Sequence, residues 1–227
     1  MKGELPEANE LEVFNILLNS VANPGPRNLQ NRAGMCTAVG GAPMGTAILA
    51  GLSAACGEED GGGAVENVMK MLNHIKSFLK SRKENKCPFK ILYKEVISQY
   101  QDNEFIPGTG RWYGEKDIRA GHLQDCLKKK DIQMQTVEII IQLGNLQEKS
   151  LPDSGLHLHG LFAAGLLDLG FYPLQGHGLY MIASTIGILA HSAEQYGRKW
   201  NEYPHWFYPG VYEYKPNKHR NAGAEDA

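Results

Sequence analysis

The segment Phe-Ile-Pro-Gly-Thr-Gly-Arg-Trp-Tyr-Gly-Glu-Lys-Asp-Ile-Arg-Ala occupies residues 105–120 and is the most informative part of the chain. Pro107, Gly108 and Gly110 predict a tight loop whose backbone can approach a ligand closely, because glycine adopts conformations closed to other residues. Residues 111–113 then place a cation and two flat rings beside that loop. The residues that follow begin a helical pattern. The segment is therefore typical of a ligand-binding loop that leads into a helix.

The size and charge of the chain limit the function classes that fit it. It has 227 residues, with 23 Lys and Arg against 25 Asp and Glu, for a formal charge of −2. A chain of this length buries a sizeable core, as one domain or as a large and a small one. Its nearly balanced charge gives no electrostatic reason to bind nucleic acid or an anionic membrane. We expect neither as a partner.

The cysteines indicate a reducing compartment. Cys36, Cys56, Cys87 and Cys126 are widely spaced and form no Cys-x-x-Cys pair. The pattern predicts neither a disulfide framework nor a zinc site, so no metal is expected. The acidic N-terminal segment has no apolar signal core. We therefore predict reduced thiols in a cytoplasmic protein.

An uncharged stretch at residues 33–57 is long enough to span a bilayer. It is dominated by Gly and Ala, contains Pro43 and has few large aliphatic residues, so it would insert weakly. Small residues also let helices approach closely in a globular core or a subunit interface. The composition favours buried helices, and Gly40, Gly41 and Pro43 predict a break between two of them.

Helical spacing of apolar residues continues through most of the chain. The predicted segments are a helix from Leu11 to Val21, one from Val65 to Leu79 after a Gly-rich turn, a short helix at 91–102, one around Leu123, one at 137–146, and a block at 160–195 broken near 170–178. No segment shows sustained strand alternation, although the Val and Ile residues at 137–143 are ambiguous. The sequence predicts an all-α fold.

Four blocks, taken in order, resemble the citrate synthase and citryl-CoA lyase superfamily. The blocks are Val21–Pro26 with the later Gly62-Gly63-Ala64 helix start, the Pro107–Arg119 loop, Gly160–Gly170, and Ile186–Gly210. The loop is similar to the Pro-Gly-x-Gly-His…Asp-Pro-Arg element of that superfamily. Each block alone is a weak signal, but four in order cover most of the chain. The short N-terminal part resembles the compact citryl-CoA lyase module.

The resemblance implies a large helical domain and a small one, paired as a two-fold dimer, with the site in the cleft between domains. We expect residues 1–75 and 151–227 to form the two parts of the large domain, and residues 76–150 the small domain. Superfamily members make or break the carbon–carbon bond between an acetyl-CoA unit and a keto acid. Coenzyme A is thus expected as part of the substrate or product.

The chain departs from the superfamily at its chemical positions. Histidines of the superfamily fall at Pro24, Gly61 and Arg111; its catalytic aspartate falls at His159, and its substrate-clamping arginine falls at Tyr203. Pro24 has no hydrogen-bond donor on its side chain or backbone nitrogen. These substitutions predict weak or absent citrate binding.

The replacing residues can still perform chemistry. His159 is a candidate general base, since an unperturbed imidazole titrates near about 6.5, and His157, two residues earlier, is a further candidate catalytic residue. Arg111 is a candidate donor to an oxyanion or a carboxylate. Tyr203 opens an aromatic run that predicts a bulkier, less anionic substrate than oxaloacetate. The expected substrate- and CoA-binding residues are Ile106, Pro107, Gly108, Thr109, Gly110, Trp112, Tyr113, Arg119 and Tyr203.

Structural roles compete with each of these assignments. The two histidines can line a polar cleft or satisfy a helix start, and Arg111 can form a structural salt bridge. The aromatic run at 203–208 can serve packing or a dimer contact. His122 is expected on the surface.

Three functions remain open from the sequence. The first is an enzyme that forms or cleaves a carbon–carbon bond of an acyl-CoA, with a small organic acid or ketone as the second reactant. The second is a catalytically silent subunit that pairs with an active homologue, which the inert Pro24 and Gly61 favour. The third is an acyl-CoA hydrolase or hydratase that uses the same groups. The expected assembly is a homodimer or higher homo-oligomer, or a heteromer with an active homologue.

Overall fold

The computed structural model describes residues 5–81, 98, 105–130 and 132–199, and this part of the chain is all-α as predicted. Its eight helices and two short strands are α1 (Ala8–Val21), α2 (Leu29–Val39), α3 (Met44–Ala55), α4 (Gly62–Ser81), β1 (Thr109–Gly110), α5 (Ile118–Lys128), α6 (Gln135–Ser150), β2 (Gly155–Leu156), α7 (Leu158–Asp168) and α8 (Pro173–Gln195).

The uncharged stretch forms α2 and α3, which are separate helices as predicted. Asn28 caps α2 by accepting a hydrogen bond from the backbone N–H of Gln30 at 3.1 Å. Gly41 then takes a positive φ of 82°, and Pro43 precedes the first turn of α3. Ile188 of α8 packs against Gly34 of α2 and Gly51 of α3. Across the described residues, none of the helices combines the length and apolarity needed to cross a membrane.

Helix α7 is the centre of the core. Residues 158–167 are all buried, so the helix is apolar on every side, as a helix enclosed by others must be. Helices α1, α4, α5, α6 and α8 pack around it. The first turn of α7 is consequently held in place from several directions.

The Pro-Gly loop is joined to the start of α7 by a two-stranded antiparallel sheet. Thr109 pairs with Leu156, and Gly110 pairs with Gly155. One residue beyond this pairing, the backbone N–H of His157 donates to the carbonyl oxygen of Gly108 at 3.1 Å. The sheet was not predicted because two-residue strands carry no periodicity. Its effect is to place the loop directly over the first turn of α7.

The remaining predictions concern the ambiguous segment at 137–143, the break in the last helical block and the domain boundaries. The ambiguous residues 137–143 are helical, within α6. The block at 160–195 is interrupted at Leu169–Tyr172, where Gly170 has a φ of 80°. This break is shorter than predicted because Gly176 and Gly178 lie inside α8, where Gly176 packs against Met69 of α4. The helix at 91–102, apart from residue 98, and Cys87 lie outside the described residues. The domain boundaries remain a prediction.

Candidate active site

A cleft of about 1000 Å³ lies between the Pro-Gly loop and α4. Residues 105–111 form one wall, and α4 residues from Ala64 to His74 form the opposite one. His157 and His159, at the start of α7, also line the cleft. The structure thus brings both predicted histidines together with Arg111 and the predicted binding residues 106–110.

His157 is the N-cap of α7. Its Nδ1 accepts a hydrogen bond from the backbone N–H of His159 at 3.3 Å, and its Nε2 lies 3.5 Å from Oδ2 of Asp117. Burial, followed by the neighbouring His159, lowers the pKa of His157 to about 3. The ring is therefore neutral at pH 7. For His157 this geometry supports the structural role considered from the sequence, in which the side chain satisfies the start of a helix.

His159 is buried, with 4% of its surface exposed. Its Nε2 lies 3.2 Å from the hydroxyl oxygen of Tyr180 and 3.4 Å from Oδ1 of Asp60. Burial, reinforced by the charge of Arg119, lowers its pKa to about 4 against the opposing effect of Asp117. At neutral pH the imidazole is uncharged, as a general base must be.

Sequence reasoning missed the residues that surround His159. The Tyr180 hydroxyl donates to Oε1 of Gln30 at 3.4 Å, and Asn28 donates through Nδ2 to Oδ2 of Asp60 at 3.0 Å. Burial, with the charge of Asp60, raises the pKa of Tyr180. Asp60 stands immediately before Gly61, where the superfamily has a histidine, so its position was a readable signal. Tyr180 and Gln30 lie in no recognisable motif.

Asp117 is the polar centre that holds the loop to α7. Arg119 donates to its two oxygens from Nε at 2.8 Å and from Nη2 at 2.9 Å, and the backbone N–H of Leu158 donates at 3.0 Å. Burial alone would raise the pKa of Asp117, but the hydrogen bonds and the charge of Arg119, with the backbone N–H of Leu158, lower it overall. A buried carboxylate bound in this way is a structural anchor.

Arg111 is held at the edge of the cleft. Its Nη2 donates to the carbonyl oxygen of Pro152 at 2.9 Å, and its Cζ lies 5.9 Å from the ring centroid of Phe105. These contacts leave the guanidinium lining the cleft. Its position is compatible with the predicted role as a donor to a substrate oxygen.

The aromatic residues of the loop face a second cavity of about 360 Å³. Trp112 and Tyr113 border it together with residues 24–27. Arg119 stacks on Trp112, with Cζ 3.9 Å from the ring centroid. The predicted binding residues therefore divide between two cavities. Tyr203 and the aromatic run at 203–208 lie outside the described residues.

Among the residues that the structure describes, no group of three or more His, Cys, Asp or Glu side chains is placed to hold a metal ion. His157 and His159 of the cleft lie instead beside single carboxylates, those of Asp117 and Asp60. The chemistry that this arrangement offers is proton transfer and hydrogen-bond donation.

Three solved structures resemble the chain in fold. Citryl-CoA lyase from Hydrogenobacter thermophilus is 24% identical, with a TM-score of 0.75 over 95% of this chain and 80% of that one. The ATP citrate lyase of Methanothrix soehngenii, solved in complex with citrate and coenzyme A, is 18% identical with a TM-score of 0.71. The likeness covers 96% of this chain but 36% of that lyase, so the chain spans about a third of its length.

Citrate synthase from Thermotoga maritima MSB8 is 18% identical, with a TM-score of 0.63 over 97% of this chain and 58% of that one. A comparison with curated proteins found no match to the sequence. The model of the family described as citrate synthase, C-terminal domain, matches residues 1–204. This match confirms the superfamily predicted from the four sequence blocks: the chain belongs to the citrate synthase C-terminal domain family.

Proposed function

We propose that the protein is an enzyme that makes or breaks a carbon–carbon bond of an acyl-CoA thioester, with His159 as its general base. One observation carries the proposal: a neutral, buried imidazole borders a large cleft that the glycine loop also lines. Coenzyme A is the expected ligand of residues 106–110, whose backbone lines the same cleft. The ATP citrate lyase neighbour was solved with coenzyme A and citrate, which supports this choice.

The proposed chemistry begins with proton transfer. His159 takes the proton from the carbon next to the thioester carbonyl, and the C–H electron pair forms an enolate. Arg111 donates to the oxygen on which negative charge develops. The enolate carbon then bonds to the carbonyl carbon of a small keto acid or ketone, whose oxygen takes up a proton. Cleavage follows the same steps in reverse.

The acceptor is proposed to be bulkier or less anionic than oxaloacetate. Pro24 stands where the superfamily has a histidine, and it lines the second cavity with Trp112 and Tyr113. The prolines and the two rings suit a substrate group with hydrocarbon or ring character, beside one charge of each sign from Arg27 and Glu115.

Ligand binding tests the proposal directly. A thermal-shift screen should compare CoA, acetyl-CoA and bulkier acyl-CoAs. A ligand at 100 times its Kd stabilises the native state by about 2.7 kcal/mol, which corresponds to roughly 5–10 °C in a chain of this size. The proposal fails if no CoA compound shifts the melting temperature at millimolar concentration.

Catalysis requires a second measurement on the ligand found in that screen. His159→Gln should reduce kcat by about 10²–10⁴-fold while leaving CoA binding in place, because it removes the base and keeps a side chain of similar size. His122→Gln is the matched control, since His122 is exposed on α5. Equal loss of activity in both variants would contradict the role of His159.

Acyl-CoA hydrolysis is a second candidate, favoured by the contact between Asp60 and His159. A carboxylate beside an imidazole is an arrangement that also activates water. Release of free CoA in the absence of any acceptor would favour this reaction. The silent-subunit alternative predicts activity only after mixing with an active homologue.

We further propose a cytoplasmic dimer, as the resemblance implied. Exposed apolar side chains occur on neighbouring helices, at Leu49 of α3 (65% exposed) and at Ile182 and Ile186 of α8 (59% and 63%). An apolar face of this kind suits a subunit contact. Cys36, Cys56 and Cys126, among the described residues, form no disulfide, which supports a reducing compartment.

A further inference from the structure

We propose that Asp60, assisted by Tyr180, is a positioning residue that fixes His159 in its Nε2–H tautomer and so leaves Nδ1 as the basic atom. The catalytic meaning of this inference rests on the proposed role of His159 as general base. The tautomer itself does not, because it follows from the surroundings of the imidazole alone.

Asp60 provides the first argument. Its Oδ1 lies 3.4 Å from Nε2 of His159, while its Oδ2 accepts from Nδ2 of Asn28 at 3.0 Å. An ionised carboxylate only accepts hydrogen bonds. The ring atom that faces it must therefore carry the proton, and in a neutral imidazole the other nitrogen is then the acceptor.

Tyr180 provides the second argument. Its oxygen lies 3.2 Å from the same Nε2, and its hydroxyl proton is directed to Oε1 of Gln30 at 3.4 Å. The tyrosine oxygen consequently offers a lone pair to the histidine. Two acceptors thus converge on Nε2, whereas Nδ1 of His159 has no hydrogen-bond partner among the described residues.

His157 has the same tautomer as the one proposed for His159, but its Nδ1 is already used. Its Nδ1 accepts from the backbone N–H of His159, so its proton resides on Nε2, 3.5 Å from a carboxylate oxygen of Asp117. The two rings lie 4.8 Å apart. In His157 the Nδ1 lone pair is used to cap α7, and in His159 it remains available for a substrate proton.

The location of Asp60 explains how the chain accommodates a histidine at position 159. The superfamily pattern has an imidazole just before the Gly-Gly-Ala helix start and a carboxylate in the later segment. Here the carboxylate of Asp60 precedes that helix start and the imidazole of His159 occupies the later position. The order of imidazole and carboxylate along the chain is thus reversed, and in this structure Asp60 lies beside the imidazole.

The first experiment observes the tautomer without any substrate. Long-range ¹H–¹⁵N spectra of the ¹⁵N-labelled protein at pH 7 should show Nε2–H for His159, whose signals are identified by their loss in His159→Gln. Asp60→Asn, which can donate as well as accept, should give a mixture of tautomers. Asp125→Asn, a carboxylate change on the exposed face of α5, should leave the spectrum unchanged. An Nδ1–H tautomer in the wild-type protein would overturn the proposal.

The second experiment measures turnover of the acyl-CoA identified in the ligand screen. Asp60→Asn should lower kcat by about 10–100-fold with little change in KM, the range seen when residues that orient a catalytic group are lost. The charged and titratable groups that face His159 are Asp60, Asp117, Arg119, His157 and Tyr180.

Loss of the Asp60 charge destabilises the imidazolium, so the acid limb of kcat should move to lower pH. Tyr180→Phe should also lower kcat. Tyr196→Phe, at an exposed site, is its control. A normal kcat with an unshifted pH profile in Asp60→Asn would show that Asp60 is only structural. If no acyl-CoA reacts, the proposed function fails, while the spectra still decide the tautomer.

Discussion

At the scale of single residues, the contact between Gly108 and Gly160 determines how closely the loop approaches α7. A Cβ atom at Gly160 would overlap the carbonyl oxygen of Gly108, and one at Gly108 would lie 2.9 Å from the Cα of Gly160. Gly108 also has a φ of 82°, which side chains rarely adopt. Both glycines are therefore required for the loop to pack on the first turn of the helix.

Gly160→Ala should destabilise the protein by about 1–3 kcal/mol, because the added methyl group must displace backbone atoms. Gly121→Ala is the control: it lies in α5 with nothing near its Cβ position, and alanine there improves helix propensity. Urea denaturation of both variants measures the difference. Equal stability of Gly160→Ala and wild type would show that the contact has room to relax.

The sequence predicted the site only in part at this scale. Motif positions identified His159, Arg111 and the glycine loop, because each follows from a local pattern. Asp60 and Tyr180 are distant from His159 in sequence, and Gln30 lies 150 positions from Tyr180. The position of Asp60 before Gly61 is a local signal, but no local pattern marks Tyr180 or Gln30, so these two partners required the fold.

At the scale of elements, the N-terminus of α7 is the most heavily supported helix end in the site. His157 caps it through the N–H of His159, and Asp117 accepts from the N–H of Leu158. These bonds satisfy backbone donors that every helix leaves unpaired in its first turn. Helical spacing predicted that α7 exists, but one of its two caps comes from Asp117, 41 positions before Leu158.

His157→Asn should preserve the stability of α7 and His157→Ala should cost about 1 kcal/mol, because asparagine is a good N-cap and alanine is not. Chemical denaturation monitored by circular dichroism measures both. The asparagine variant is also the control for cavity effects, since it shortens the same side chain. An alanine variant as stable as the asparagine variant would argue against the cap.

At the scale of the whole molecule, two neutral histidines, the buried His159 and the partly buried His157, link stability to pH. The pKa of His157 is lowered to about 3 and that of His159 to about 4, from 6.5. The unfolded chain therefore binds more protons than the folded one from about pH 6.5 down to the folded pKa values. Stability is complete above about 6.5 and decreases as the pH falls through this window. The lowered pKa of Asp117 adds a further loss only below 3.8.

Acidification from pH 7 to pH 5 should lower the free energy of unfolding, each histidine contributing up to about 1.4 kcal/mol per pH unit within its window. Equilibrium denaturation at several pH values gives the slope. His157→Asn, which keeps the cap but does not titrate, should show a smaller slope than wild type. A slope unchanged in that variant would mean that His157 is not buried as a neutral ring.

The attachment of the loop to α7 also restricts how a ligand reaches the cleft. Strand pairing at Thr109, the Gly108–Gly160 contact and the Asp117–Leu158 hydrogen bond fasten the loop at three points along its length. Lifting it would break the strand hydrogen bonds and the Asp117–Leu158 bond, and would separate the two packed glycines. We therefore expect a ligand to enter from the α4 side of the cleft, which Lys70 and the exposed His74 line.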